Sequence, residues 1–308
     1  MNGVVILDKP PQFTSFDAVA VVRGIFHEKR IGHTGTLDPM ATGVLPLMMG
    51  NATGAIALLE DTEKEYQAQF ALGQATDTQD NTGTPTETGG KAVSREELDA
   101  VLPQFRGDIL QVPPMYSAVS VNGQRLYKLA RQGIEVERPA RPVTIEKLEL
   151  LSFDEETQTG TLCIACSKGT YIRTLIDDLA RAAGTLGCMT ALRRTRACGF
   201  EEADAITLEE LRALAAEGRA EEALRPAESL FAHCRRAAVT PAQAKRFSNG
   251  NPLALSRLPL RHFKPQERIR VCTAAGLFVG VGEANPEADE LVFRKLFCTR
   301  EALEEKVE

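Results

Sequence analysis

The chain has 308 residues, of which 43% are hydrophobic and 25% charged, and a formal net charge of −6. This length suits two domains with ordinary cores, and no apolar run approaches the roughly 20 residues of a transmembrane helix. A net negative charge argues against nucleic acid, but the charges are unevenly distributed. Residues 234–274 hold nine Lys and Arg against one acid, whereas 54–100 and 201–231 are acidic. Such blocks are typical of a solvated mosaic surface or of a polyanion-binding protein.

The elements alternate between strands and helices as far as about residue 231. GVVILD predicts a buried N-terminal strand without a basic leader, so we expect a cytoplasmic protein. Capping-box spacings predict three helix starts, at Thr14/Asp17, Ser94/Glu97 and Thr207/Glu210. Further strands are predicted in VLPLMMG, EYQAQFALG, MYSAVSVNG, VTIEKLELLSF, TGTLCIACSKG and MTALRRTRACGF. QRLYKLARQG predicts a short basic helix, TYIRTLIDDLARAAG another helix, and QATDTQDNTGTPTETGG a surface loop.

The last 70 or so residues have a different pattern. Short strands with glycine turns, such as RIRVCTAAGLFVGVGEA, predict a small all-β barrel or sandwich. We therefore predict a mixed α/β (α+β) domain over 1–231 and an appended β domain over 232–308.

Metal and cofactor motifs are missing from the sequence. The seven cysteines are scattered, and the two thiols of CIAC would point to opposite faces of a strand, which predicts free buried cysteines. The four histidines lack metal-ligand spacing, and no phosphate loop, dinucleotide fingerprint or GxSxG motif occurs. We therefore expect chemistry without metal or cofactor, for which an activated carboxylate is a natural candidate.

GHTGTLDPMATGVLP, residues 32–46, presents one such carboxylate, Asp38. Pro39 favours an extended conformation at Asp38, Gly35 and Gly43 allow close approaches, and the loop threonines can form local hydrogen bonds. A simple Asp-Pro turn without function is the alternative.

Two other segments favour a site. Tyr171 and Arg173 in SKGTYIRT lie at a predicted strand-to-helix junction, where an arginine could hold a buried carboxylate by a bidentate pair.

Tyr66, in EKEYQAQF, follows charged residues at the start of a predicted strand. It could stack on a planar ring, although a partly buried strand tyrosine would look the same.

These segments, in this order, resemble the bacterial tRNA pseudouridine-55 synthases of the TruB type. The resemblance also includes NGVVILDKP, PPMYSAVSVNGQRLYKLARQGIEV and ALRRT, and FSNGNPL…RVCTAAGLFVGVGE resembles a PUA-type RNA-binding domain. It implies a pseudouridine-synthase catalytic domain with a large mixed, mainly antiparallel sheet flanked by helices. An RNA-clamping insertion would span about 112–142, and a small PUA-like β-barrel would follow at 232–308.

The resemblance implies a monomeric isomerase that converts uridine 55 in the TΨC arm of tRNA to pseudouridine. Asp38 would be the nucleophile, attacking either the sugar or the base, and Arg173 would pair with it. Tyr66 would stack on the flipped base. Leu192 would help to line the apolar pocket of the base. Tyr171, on the same predicted strand as Arg173, would be a further pocket residue. His33 would contact the RNA and hold the flipped-out conformation.

Other contacts are implied less directly. Lys9 and Lys64 would contact groups near the site, and Arg193, Arg194 and the 234–274 zone would bind phosphates. The loop glycines and threonines would bring the RNA backbone close to Asp38. Two departures from the family are Ser120, in place of a clamp lysine, and the acidic tail REALEEKVE, which we expect to be solvated or helical.

Two other functions fit parts of the sequence. A non-catalytic RNA-binding protein or tRNA chaperone would not need Asp38. A carboxylate-dependent hydrolase should show a second acid for general acid–base catalysis, and the quoted loop has only one.

Overall fold

A computed structural model of the chain describes residues 1–59, 63–121 and 123–305. The strands are β1 Gly3–Lys9, β2 Ile31–His33, β3 Thr42–Met49, β4 Lys64–Leu72, β5 Gln74–Thr76, β6 Pro85–Thr88, β7 Gly107–Gln111, β8 Ser120–Val121, β9 Gln124–Arg125, β10 Arg141–Asp154, β11 Thr159–Cys166, β12 Gly187–Ala197, β13 Phe200–Glu201, β14 Ile206–Thr207, β15 Arg235–Val239, β16 Leu253–Ala254, β17 Arg268–Thr273, β18 Phe278–Asn285 and β19 Glu290–Leu296. The α-helices are α1 Ser15–Phe26, α2 Arg95–Val101, α3 Leu126–Ala130, α4 Ile172–Ala182, α5 Leu208–Ala216, α6 Pro241–Ser248 and α7 Arg300–Glu305.

A ten-stranded sheet organises the first part of the chain. Its order is β14-β1-β3-β12-β4-β11-β10-β7, with β2 paired to β3 and β13 to β12. The pairs β1–β14 and β3–β12 are parallel, and the other pairs of this sheet in the described residues are antiparallel. The predicted large, mainly antiparallel mixed sheet is therefore confirmed. Strand β12 lies between β3 and β4, which brings three distant segments of the sequence side by side.

The helices begin where their capping residues predict. Thr14, Ser94 and Thr207 each cap a helix through the backbone N–H of the third helical residue, and all three capping boxes are complete. One apolar face of α1 is buried, as is most of α4, and both helices pack into the same core as the sheet residues. The seven cysteines are free and buried, as predicted.

Three predicted elements differ from the structure. MYSAVSVNG contributes only the short strand β8, because residues 115–119 form a loop. The predicted surface loop after residue 73 contains the β5–β6 hairpin. The C-terminal region is not all-β, since it contains α6 and α7. Thr240 and Gln243 form a capping box at α6, with Pro241 at its first position, a pattern that predicts a helix from sequence.

The C-terminal sheet has the order β15-β17-β18-β19-β16. Phe297, directly after β19, and Phe231 form one apolar cluster with Val4 and Val44 of the large sheet, and Phe278 of β18 packs against it. The two sheets therefore share a core. The boundary at residues 231/232 stays a prediction, as do the bounds of the insertion. The acidic tail is helical over Arg300–Glu305, and its last three residues lie outside the described part.

None of the helices in residues 1–59, 63–121 and 123–305 combines the length and apolar character of a membrane span.

Candidate active site

Asp38 lies on the loop between β2 and β3, in a turn closed by the hydrogen bond from Ala41 N to Asp38 O (3.0 Å). On one side of Asp38, the Leu37 N–H donates to Ser15 Oγ (2.9 Å) at the start of α1. On the other side, Lys9 Nζ donates to Pro39 O (3.3 Å). Both neighbours of Asp38 are therefore fixed to other elements, while its own side chain is 37% exposed.

The loop glycines approach protein atoms rather than leaving room for RNA, which corrects the expectation for them. Gly43 has φ +100°, and a Cβ there would lie 2.2 Å from the carbonyl oxygen of Arg194. At Gly35 (φ +69°), a Cβ would lie 2.7 Å from Lys64 Cε. Two of the loop threonines are hydrogen-bonded to β12 and to the turn after it. Thr42 Oγ1 accepts from Arg193 on β12, and Thr34 Oγ1 accepts from the Cys198 thiol in the turn.

Arg173 joins the Asp38 loop to two other segments. Its Nε lies 2.9 Å from Asp38 Oδ2, its Nη1 donates to Thr78 O (2.8 Å), and its Nη2 donates to Tyr116 O (3.0 Å). The side chain is 5% exposed. The contact with Asp38 is made by one nitrogen rather than as the expected bidentate pair, because the other two nitrogens hold backbone carbonyls.

Tyr171 and Arg173 are not on a strand. Tyr171 is the N-cap of α4, and Arg173 lies in the first turn of that helix. Gln111 fixes Tyr171 from both sides, accepting from its N–H (2.8 Å) and donating to its carbonyl (3.0 Å). Tyr171 lines the same cavity as Asp38, and the first turn of α4 places Arg173 in contact with the Asp38 side chain.

Tyr66, Leu192 and His33 reach the cavity from the sheet. Tyr66 on β4 is paired with Arg194 on β12 and is 6% exposed. Burial raises the pKa of Tyr66 to about 12, although the Arg194 charge acts against this rise. Burial, and then the Arg194 charge, lowers the pKa of His33. The structure thus brings these three residues together with Asp38, Arg173 and Tyr171.

The cavity has a volume of about 1110 Å³, enough to admit a nucleotide with its neighbours. Part of its lining, Tyr116, Ser117, Ala118, Tyr127 and Arg131, comes from the segment between β7 and β10. We call these five residues the insertion wall. A second part of the lining, which we call the sheet wall, comprises the Asp38 loop with His33, Lys64, Tyr66 and Leu192.

The two lysines have different positions. Lys9 has no exposed surface and donates to Pro10 O, Phe13 O and Pro39 O, so it contacts the loop backbone rather than the cavity. Burial lowers the pKa of Lys9 to about 8, and the charge of Asp38 opposes this shift. Lys64 lines the cavity next to Tyr66 and is 9% exposed.

The two arginines expected to bind phosphates both have partners within the protein, although the Arg193 side chain is 38% exposed. Arg194 has no exposed surface, and it donates to Val44 O (2.7 Å) and Gly35 O (3.1 Å), so the expected phosphate contact is wrong for this residue. Arg193 forms a bidentate pair with Asp8 (2.9 and 3.1 Å) and also contacts Glu202. Both arginines join β12 to neighbouring segments.

Sequence reasoning assigned no role to Asp80, whose Oδ2 lies 3.7 Å from Arg173 Nη1. Thr78 Oγ1 and both the N–H and hydroxyl of Thr82 donate to Asp80 Oδ1. Asp80 is 5% exposed and held by its own turn, so this second carboxylate supports Arg173 from the lining of the cavity, where the Asp38 side chain is much more exposed. The alternation of Thr and Asp in TDTQD was the available indication.

Ser120 lies on the β8–β9 hairpin of the insertion and donates to Gln124 O (3.2 Å). The nearby Arg131 guanidinium stacks over the Tyr127 ring, 5.6 Å from its centroid. Among the described residues there is no group of three or more His, Cys, Asp or Glu that could hold a metal ion.

Three family models match the chain in succession. They are described as TruB family pseudouridylate synthase (N terminal domain), over residues 23–172, tRNA pseudouridylate synthase B C-terminal domain, over 173–232, and Pseudouridine synthase II TruB, C-terminal, over 236–289. The chain is 44% identical to tRNA pseudouridine synthase B of Stutzerimonas stutzeri over 290 residues, 93% of each chain. It is 38% identical to the Bacillus pumilus protein of the same name, over 95% of this chain and 96% of that one.

Solved structures agree with these similarities. A chain in the crystal structure of a Cbf5-Nop10-Gar1 complex superposes with a TM-score of 0.76 and 26% identity, over 98% of this chain and 86% of that one. A chain of the archaeal box H/ACA sRNP Nop10-Cbf5 complex, at 24% identity and a TM-score of 0.73, shares the fold.

Proposed function

Because the chain belongs to the TruB family of pseudouridylate synthases, we propose that it isomerises uridine 55, in the TΨC arm of tRNA, to pseudouridine without a metal or cofactor. The observation that carries this proposal is the 2.9 Å contact between Asp38 and Arg173 at a cavity that Tyr66 also lines. We also propose that the enzyme is a monomer and that it works in the cytoplasm, where tRNA is found.

Catalysis begins when the target base leaves its stack and enters the cavity. Flipping costs a few kcal/mol, and stacking on an aromatic ring returns roughly 1–3 kcal/mol per base. Tyr66 is suited to that contact because it is held in the sheet between β11 and β12. With a pKa of about 12, its phenol stays protonated at neutral pH. Leu192 supplies an apolar surface beside it, and Tyr171 completes this end of the pocket.

Asp38 then acts as the nucleophile, at the anomeric carbon of the sugar or at the base, and its bond to the nucleotide is broken again before the product leaves. The glycosidic bond between N1 and the sugar breaks, the base rotates, a bond forms from C5 to the sugar, and the C5 proton leaves as N1 gains one. The net change is an isomerisation, so no electron donor or acceptor is consumed. Arg173 orients the carboxylate through Nε while its other nitrogens are held by backbone carbonyls.

RNA binding is assigned to groups around the cavity. His33, at the end of β2, is proposed to contact the RNA and hold the flipped nucleotide, with Lys64 nearby. The insertion carries exposed Lys128 and Arg131, and the 234–274 zone carries further basic residues that could contact phosphates.

The proposal predicts tritium release from unmodified tRNA transcript labelled at C5 of uridine. Replacement of the nucleophile in Asp38→Ala should reduce the rate by at least about 10³-fold. No release by the wild type, or undiminished release by Asp38→Ala, would overturn the proposal.

Asp38→Asn is the matched control for binding. It preserves the side-chain volume and leaves the phosphate contacts in place, so tRNA affinity should change little while release is lost. If the affinity falls together with the rate, Asp38 has a role in binding and the division of roles proposed here is wrong.

A further inference from the structure

The cavity contains a buried hydroxyl with no assigned role. Ser117, on the insertion wall, is 5% exposed, and its Oγ has no hydrogen-bond partner. Its backbone groups are satisfied, since its N–H donates to Met115 O (2.9 Å) and its carbonyl accepts from Tyr127 N (3.1 Å). A buried hydroxyl left without a partner is costly, so such groups in native proteins need an explanation.

The position of Ser117 indicates what that partner would be. Among the residues that line the cavity and belong to the described part of the chain, two have a buried polar side-chain atom without a partner, His33 and Ser117. Ser117 directly follows Tyr116, whose carbonyl holds the arginine that contacts Asp38. Its backbone is therefore fixed one residue from the carbonyl that holds Arg173, with an unused hydroxyl that can donate and accept.

We propose that the Ser117 hydroxyl hydrogen-bonds an oxygen of the target uridine, either the ribose hydroxyl or a uracil carbonyl, when RNA fills the cavity. This inference rests on the proposed function and adds a substrate-binding residue to it. The bond would connect the insertion wall directly to the flipped nucleotide. Because the free protein makes no bond with this hydroxyl, its whole contribution appears on binding.

The decisive comparison measures stability and activity of the same variant. Ser117→Ala should unfold in urea at the same or a higher denaturant concentration than wild type, because no hydrogen bond is lost in the free protein. Its kcat/KM for tRNA should fall about five- to tenfold, the effect of one neutral hydrogen bond. Thr185→Val is the matched control. It removes another buried hydroxyl without a partner, outside the cavity, and should leave kcat/KM unchanged.

Two modified T-arm stem-loops distinguish the sources of the oxygen. Binding is compared for Asp38→Asn with and without Ser117→Ala, so that turnover does not interfere. The quantity compared is the ratio of the affinities of these two proteins for the same RNA. If this affinity ratio falls to one with 2′-deoxyuridine at the target position, the ribose hydroxyl is the partner. If it disappears with an abasic ribose there, the uracil carbonyl is.

Three results would overturn the inference. They are an unchanged kcat/KM for Ser117→Ala, an equal fall for Thr185→Val, and an affinity ratio that persists with both modified RNAs. Failure of the proposed function would look different, since the wild type itself would then release no tritium from tRNA.

Discussion

The two walls of the cavity are built in different ways. Every contributor to the sheet wall lies on, or is tied to, β2, β3, β4 and β12, and the residues that support it, Lys9 and Arg194, have no exposed surface. The insertion wall is joined to the rest of the site by hydrogen bonds such as those from Arg173 to Tyr116 O (3.0 Å) and from Tyr116 to Asp77 (3.4 Å). Arg173, whose Nε lies 2.9 Å from Asp38, thus joins the two walls.

This difference separates two tasks. The sheet wall presents Asp38, Tyr66 and Leu192 in fixed positions, as the proposed nucleophile and stacking surface would require. The insertion wall has an exposed arginine, Arg131, and two half-buried tyrosines, Tyr116 and Tyr127, which suits the proposed recognition of an RNA backbone that must enter and leave. Substitutions in the first wall should therefore change stability, and those in the second should change RNA binding.

The largest effect is expected for Gly43→Ala in the sheet wall. A methyl group there would meet the Arg194 backbone at 2.2 Å with φ at +100°, so strain and overpacking combine. We expect the free energy of unfolding to fall by about 3 kcal/mol or more, measured by urea denaturation. Gly24→Ala, at an exposed helical glycine of α1 with no atom near its added methyl, should instead stabilise the protein slightly. Equal effects of the two substitutions would contradict the close approach of β3 and β12.

A smaller effect should arise from Lys9 as pH rises. Its pKa is about 8 in the folded protein and 10.5 ordinarily, so between these values the unfolded chain binds more protons and the free energy of unfolding increases with pH. Relative to Lys9→Met, the wild type should gain on the order of 1–2 kcal/mol between pH 8 and pH 9.5 and nothing below pH 7. Denaturation curves across this range measure the difference. An equal increase with pH for Lys9→Met and the wild type would contradict this role of Lys9.

The smallest effect on stability is expected for Arg131→Ala in the insertion wall. The free energy of unfolding should change by less than about 0.5 kcal/mol, because the side chain is exposed. The affinity for tRNA should nevertheless fall, and the slope of log Kd against log salt should decrease by about 0.7–0.9, the value of one phosphate contact. Arg219→Ala removes the same charge from an exposed arginine paired with Glu217 and Glu222, and it should not change the slope. An unaltered slope for Arg131→Ala would remove it from the RNA-binding surface.

The sequence predicted the features that depend on neighbours along the chain. Capping boxes at Thr14, Ser94 and Thr207 marked helix starts, and apolar patterns marked the long strands of the sheet. It also presented Asp38 on a shaped loop. It also singled out Arg173 and Tyr66 as candidates, whose roles the resemblance then implied, and the structure brings both to the Asp38 cavity.

The remaining features depend on which strands are neighbours in space. From the sequence, Arg194 looked available to bind phosphate. Its burial follows from the position of β12 between β3 and β4, which cannot be read from the segment itself. Asp80 looked like a loop residue because its contact with Arg173 joins positions 93 residues apart. Lys9 seemed to be near substrate, whereas it supports the backbone beside Asp38. Periodicity along one segment contains no information on such pairings.

The aromatic cluster shared by the two sheets has a consequence for synthesis of the protein. Val4 belongs to the first strand and Phe297 comes a few residues before the end, yet both bury their side chains in this cluster. At bacterial translation rates of about 5–20 residues per second, the ribosome needs roughly 15–60 seconds to produce the second after the first. During that interval the cluster residues on β1 and β3 lack their partners from the C-terminal sheet region, so this shared core is completed only after Phe297 has been made.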